Sequence, residues 1–400
     1  ALYGSRATNG VILITTKSGT KTNKGLEVTY SSSFSQERIS SLPNYQDVYA
    51  QGSNQNYNGG FIGNWGSPFP QHVDRLNQQF HGGTPRYSKI YATGYPEGTI
   101  PHPMVGIPFT QNNGYRNIFP ELLEDDPNNP GQKRAQAIPL QPYNFLNEFF
   151  QPGNLFENSL SFATGDATKS INATLSRMDN NGIVENSNAS RTTVAFGGNA
   201  KLNNGLQING NVNYVSSKQA SPPIAPSYYT DYQGADEASI YSRLFYLPRN
   251  VDLMNWPFEN PVNGDNVFYR ALDNPRWLTK YNKFTSDVQR SFGVITLSYP
   301  IASWLTANAR GGFNTYTDNQ VSTIRTGGVT DPNGRVWNRN VSNTELDFNY
   351  FLSASKKLTD NIDLTVIAGL NQNERSRTDK FIDGDGIIDN NVQNLAAVTT

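Results

Sequence analysis

The sequence predicts an all-β protein: a partial transmembrane antiparallel β-barrel, about nine strands of a larger barrel, within these 400 residues. Three observations predict it. Apolar and polar side chains alternate in nine separate stretches. Short and long connections alternate strictly between those stretches. No segment approaches the ~18 consecutive apolar residues of a membrane helix; the longest plain apolar run is Val11-Ile12-Leu13-Ile14.

The stretches lie at 26–34, 156–162, 171–176, 191–196, 206–214, 295–299, 305–314, 346–353 and 362–368. In the first, Leu26, Val28, Tyr30 and Phe34 alternate with Glu27, Thr29, Ser31 and Ser33. In the seventh, Leu305, Ala307, Ala309 and Phe313 oppose Thr306, Asn308, Arg310 and Asn314. A period of two sets one face against apolar surroundings and the other against water. A soluble sandwich would alternate in the same way, and the connections separate the two cases. Short turns stand at Gly165-Asp166, Asn203-Asn204-Gly205, 300–303 and Thr359-Asp360-Asn361. Long loops stand at 38–153, 217–285 and 317–343, with a modest one at 179–188. In a meander alternate connections lie at opposite ends, so all short turns share one rim. Outer-membrane barrels have this asymmetry. Tyr299 and Trp304 flank one short turn, where an aromatic girdle or plain strand preference accounts for them.

The first loop is rich in Pro, Gly and Asn, and a structureless loop of that length is unusual in a compact domain. It is expected as a folded excursion, with a short helix over 44–51.

Composition narrows the function. Lys and Arg number 32 against 33 Asp and Glu, which lacks the basic excess of a nucleic-acid groove. Only 16% of residues are charged although mean hydropathy is −0.58, so the polarity resides in uncharged side chains. The absence of cysteine excludes disulfides, thiolate metal sites and Cys nucleophiles. His72, His81 and His102 all fall in the first long loop without metal-ligand spacing, as solvated residues. No nucleophile elbow or phosphate-binding loop is present, and no enzyme is expected. Asp383-Gly384-Asp385-Gly386-Ile387-Ile388-Asp389 resembles the start of a calcium loop, with Asp383, Asp385 and Asp389 as candidate Ca2+ ligands. Asn394 stands where the closing Glu would be. Loop aromatics Trp65, Tyr228, Tyr229, Tyr232, Trp256 and Trp277 are candidate ligand contacts by type. Tyr228-Tyr229 is favoured because Pro222, Pro223 and Pro226 hold that stretch extended.

The opening Ala1-Leu2-Tyr3-Gly4-Ser5-Arg6-Ala7-Thr8-Asn9-Gly10, continued by Val11-Ile12-Leu13-Ile14-Thr15-Thr16-Lys17-Ser18-Gly19, closely resembles the end of the plug domain in SusC/RagA-type TonB-dependent transporters. Tyr246-Leu247-Pro248-Arg249-Asn250 and Asn274-Pro275-Arg276-Trp277 are similar to short loop motifs of the same family, and 159–216 resembles its early barrel hairpins. The resemblance implies the C-terminal end of a plug at 1–19, a linker at 20–25, and the N-terminal part of a barrel at 26–400. Tyr3, Gly4, Ser5, Arg6, Asn9 and Gly10 would carry the plug motif, with Arg6 pinning it near the barrel wall. Such barrels have about 22 strands, so the chain reads as a fragment starting in mid-motif.

The resemblance further implies a bacterial outer-membrane location and active import of a large nutrient, an oligosaccharide ahead of a peptide. Implied partners are a SusD-like lipoprotein over the extracellular mouth, the TonB-ExbB-ExbD system and outer-membrane lipid, but no nucleic acid. No cofactor is required beyond the Ca2+ that the Asp run would admit. A passive porin and a surface-adhesion β-protein are the alternatives, and neither has a separate plug.

Overall fold

The computed structural model of the protein describes residues 25–61, 63–82, 86–106, 118–222, 239–270, 272–392 and 394–399. The plug motif (Tyr3, Gly4, Ser5, Arg6, Asn9 and Gly10) and the Tyr228, Tyr229 and Tyr232 candidates lie outside the described residues.

One nine-stranded sheet dominates. Its strands are β1 (Leu26–Glu37), β2 (Gly153–Gly165), β3 (Lys169–Asn181), β4 (Asn188–Lys201), β5 (Gln207–Ser221), β6 (Lys283–Ala302), β7 (Leu305–Ile324), β8 (Arg335–Thr359) and β9 (Ile362–Asp385). Each pairs antiparallel with the next in chain order, so the sheet is a meander. Every stretch of predicted alternation falls in one of these strands, save Leu206 one residue before β5, and the chain is a partial antiparallel barrel. The short turns fall at the expected places. In the first, Asp166 Oδ1 accepts from the Thr168 and Lys169 N–H groups at 2.7 and 3.0 Å, a local substitute for a backbone turn.

Strands β7, β8 and β9 run to 20, 25 and 24 residues, although about 10 suffice to cross a bilayer. The loop expected over 317–343 therefore shrinks to 325–334. Where both faces of a strand meet water, alternation fades while the backbone ladder continues. Arg339 and Asp379 hold that ladder from side to side, with Nε–Oδ1 and Nη2–Oδ2 at 2.8 and 2.6 Å.

The long connections form a folded cap with its own apolar core. Helices α1 (Pro70–His81), α2 (Phe145–Phe149), α3 (Ile240–Phe245) and α4 (Pro275–Tyr281) belong to it. One core gathers Phe145, Leu146 and Phe149 of α2, Ile240 and Leu244 of α3, Trp277 and Leu278 of α4, and Val184 from the β3–β4 connection. Three separate loops thus share one interior, as expected for a folded excursion. The helix expected over 44–51 is absent. Gln46 occupies the backbone there instead: its Oε1 accepts from the N–H groups of Val48 and Tyr49 at 2.8 and 2.7 Å. The helix lies further on, at α1, opened by Pro70 and closed by left-handed Gly82, with Val73 and Leu76 buried one turn apart.

Candidate functional site: a polar sheet face beneath a folded cap

The register separates the two faces of the sheet. One row across all nine strands reads Val28, Phe162, Ala173, Phe196, Val212, Gly293, Phe313, Leu346 and Glu374. Two rows towards the short turns come Ile208, Leu297, Ala309, Tyr350 and Leu370. Many of these side chains stand in the open, Val28 at 54% and Leu370 at 77% exposed, while Phe313 and Leu346 are half-buried among their neighbours. In β7 this face stays apolar from Leu305 to Phe313 and then turns to Thr315 and Thr317, so its band is nine residues long. That matches the ~9–11 residues of a transmembrane strand.

The band also slides along the sheet. The row that is apolar at Tyr30, Leu160, Leu175 and Val194 continues into Ser291, Thr315, Thr344 and Ser376. In β9 the continuous apolar band ends at Leu370, six residues short of that row, with Ile382 isolated on the same face beyond it. A slip of about 20 Å over eight interstrand spacings of roughly 4.8 Å corresponds to strands tilted by about 30°. Closed barrels require such a tilt.

The opposite face is mostly polar, with Val215, Phe292, Val294, Phe351 and Ile367 scattered through it. Ser31, Ser159, Ser176 and Thr193 share a row, and next to it Ser161 and Thr174 hydroxyls meet at 2.9 Å. Asn199 donates to Ser170 Oγ at 2.7 Å, Ser298 to Asn308 at 2.7 Å, and Arg290 Nε to Asn314 at 2.9 Å. Asp347 accepts from Asn349 and, at 3.3 and 3.4 Å, from Asn371 and Asn373. Arg191 and Arg310 stand exposed on this face. Such a wall is wettable and offers both charges to whatever faces it. Its bonds exchange readily with water because each contributes only about 1 kcal/mol net.

The cap closes the long-loop end. Asp273, 2% exposed, accepts from the Val329 and Thr330 N–H groups at 2.6 and 3.1 Å and from Thr330 Oγ1 at 2.6 Å. It joins the 239–282 loop to the β7–β8 tip. Arg249 joins the first loop to the 239–282 loop, with Nε on Asp47 Oδ1 at 2.7 Å and Nη1 on Tyr143 O at 2.6 Å. Neither link is marked by sequence spacing, since its partners are separated by 57 and 202 residues. Burial pushes the Asp331 carboxyl above its usual range, reinforced by Asp385 and opposed by Arg335.

The predicted site residues distribute unevenly. Trp65 is exposed and Trp256 half-buried. Trp277 is a correction: it is fully buried in the cap core and donates Nε1–H to Gly264 O at 2.9 Å, so its ring has no face for a ligand. The expectation of solvated histidines is corrected at His102, which is buried against the Trp256 ring at 5.1 Å between centroids. Burial lowers its pKa to about 4. Asp383, Asp385 and Asp389 do not converge. Asp383 is clasped by Arg335, Asp385 Oδ1 lies 3.6 Å from the same guanidinium, and Asp389 accepts from its own turn at Asn391. Among the described residues no group of three carboxylates or imidazoles is arranged for a metal ion.

No protein-family model and no curated protein matches the chain. Solved structures do. The chain is similar to chains of the RagAB peptide importer in its closed-closed state (TM-score 0.63, 16% identity) and its open-open state (0.65, 15%). It is also similar to a chain in a structure of the RagAB peptide transporter (0.67, 16%). Each likeness covers 100% of this chain and 40% of the other, so the chain spans about two fifths of its structural neighbours. At this identity the likeness establishes the fold alone: a nine-stranded part of a larger antiparallel β-barrel with a folded loop cap.

Proposed function

We propose that this chain is the barrel segment of an active importer in the bacterial outer membrane. It would take up a nutrient too large for a passive pore, an oligosaccharide in the first place and a peptide in the second. The observation that carries this reading is the two-faced sheet. An uncovered apolar band of transmembrane height backs a polar wall suited to a wide aqueous lumen. The fold shared with a peptide importer supports import and keeps peptides among the candidate cargoes. A lumen of that width needs a stopper, which fits the plug-like motif at Tyr3 to Gly10. It also fits energy supplied through a TonB-ExbB-ExbD system and a SusD-like lipoprotein covering the mouth.

The test is uptake by cells that carry or lack the complete protein, using fluorescent neutral oligosaccharides and peptides. Uptake is expected to require the protein and to stop when a protonophore collapses the inner-membrane gradient. Uptake that requires the protein but ignores the protonophore would identify a passive porin. Uptake unchanged by its deletion would leave adhesion.

A further inference from the structure

Trp65 is 70% exposed on a backbone with little freedom to move. The segment forms a small hairpin, Gly52–Ser53 against Asn56–Tyr57, turned by Asn54 and Gln55 at φ 50° and 64°. Trp65 N–H donates to Gly52 O at 3.3 Å, and Gln55 N–H donates to Trp65 O at 3.0 Å. A Cβ on Gly52 would fall 2.0 Å from Asn56 O, and one on Gly66 2.2 Å from Gln51 O, so the chains approach as closely as glycine permits. Gln46 Nε2 donates both to Tyr49 O at 2.7 Å and to Asn64 O at 3.2 Å, tying the stem of one ring to the stem of the other. Asn64 Oδ1 in turn accepts from Arg249 N–H at 3.2 Å.

The result is a fixed pair of rings, Tyr49 and Trp65, with centroids 5.7 Å apart and planes at 37°. A Tyr87 side-chain hydrogen bond reaches Tyr49. Charge is sparse here: Arg86 adjoins Tyr87, and Asp47 is paired with Arg249. Between Asp47 and Asp74 no Asp, Glu, Lys or Arg occurs, in a chain with 16% charged residues. Exposed amides stand there instead, at Asn54, Gln55 and Asn56. A large aromatic left in water on a stiff base gains nothing in folding, so its burial is available to a ligand. A charged peptide would find only Arg86 and the Arg249-paired Asp47 near this floor. A neutral sugar ring finds an aromatic face for its C–H side and amides and phenols for its hydroxyls.

We propose that Tyr49 and Trp65 form a stacking subsite for a neutral saccharide ring, with Gln55 and Tyr87 beside it as hydrogen-bonding groups. This rests on the importer reading only in placing the cap outside the cell. The complete protein, labelled with 5-fluorotryptophan and held in detergent micelles, tests it by 19F NMR. Trp65→Phe assigns the resonance, and the probes are maltoheptaose, laminarihexaose, xylohexaose, mannohexaose and penta-alanine. The Trp65 signal is expected to shift with at least one oligosaccharide and to stay put with penta-alanine. Affinity for that oligosaccharide falls about thirty-fold in Trp65→Ala, the size of one aromatic anchor, and less in Trp65→Phe, while the other tryptophan signals keep their positions. A signal unmoved by every sugar, moved only by penta-alanine, or moved only by an added surface lipoprotein overturns the subsite. None of those outcomes touches energised uptake, which the cell assay reads separately.

Discussion

His102 shows how one buried side chain couples the cap to pH. Its ring lies under Trp256, its Nδ1 accepts from Met104 N–H at 3.3 Å, and burial holds its pKa at about 4. A depressed folded pKa means that the unfolded chain takes up the proton first. The stabilisation is therefore complete above the unfolded value of 6.5 and is lost as pH falls towards 4. At about 1.4 kcal/mol per pH unit the loss approaches about 3 kcal/mol. Asp331 opposes it: its raised pKa favours the folded state at low pH and gives that up as pH rises. Hydrogen exchange across 118–150 from pH 7 to pH 4.5 should show progressive loosening, and His102→Gln should flatten that dependence; an unchanged slope would contradict the assignment. At this scale the sequence was partly legible. Trp65 was selected by residue type alone and stands exposed. Trp277 was selected on the same ground and is core. A local signal was present for it: Asn274 followed by Pro275 marks a helix start, with Asn274 Oδ1 accepting from Arg276 N–H at 3.0 Å. A helix begun there turns Trp277 inward.

At the scale of elements, the alternating stretches found all nine strands of the sheet because an apolar and an aqueous side impose opposite demands on neighbouring residues. They found only the two-faced part of β7, β8 and β9. Further out nothing distinguishes the two faces, and polar residues such as Arg335 and Asp383 extend the ladder without a period. Helix α1 was missed although Pro70 and Gly82 bracket it, since only Val73 and Leu76 among its residues reach the core. The two faces of β7 make a paired prediction. Ala309 lies among Leu297 and Tyr350 in the apolar band, and Asn308 faces the polar wall. Ala309→Arg should destabilise the complete barrel by about 2–4 kcal/mol. Asn308→Arg, losing one hydrogen bond to Ser298, should cost about 1 kcal/mol or less. Urea titrations of the two variants folded into lipid vesicles compare them directly. Equal costs would remove the distinction between the faces.

At the largest scale the chain is a tilted sheet with an apolar band nine residues tall in β7 and loops that fold together at one end. The meander, its rim asymmetry and the folded first loop were readable from spacing. The joining of separate loops through Asp273 and Arg249 was not, because hydrogen bonds between residues far apart in the chain leave no periodic trace. The absence of cysteine from these 400 residues makes the decisive measurement practicable. Single cysteines placed one at a time from Leu305 to Thr317 in the complete protein, spin-labelled in lipid vesicles, report collision with oxygen from lipid and with a nickel chelate from water. The account predicts high oxygen access at Leu305, Ala307, Ala309, Gly311 and Phe313, high chelate access at the positions between them, and loss of the oxygen maxima at Thr315 and Thr317. Chelate access that is uniform along the strand would contradict it.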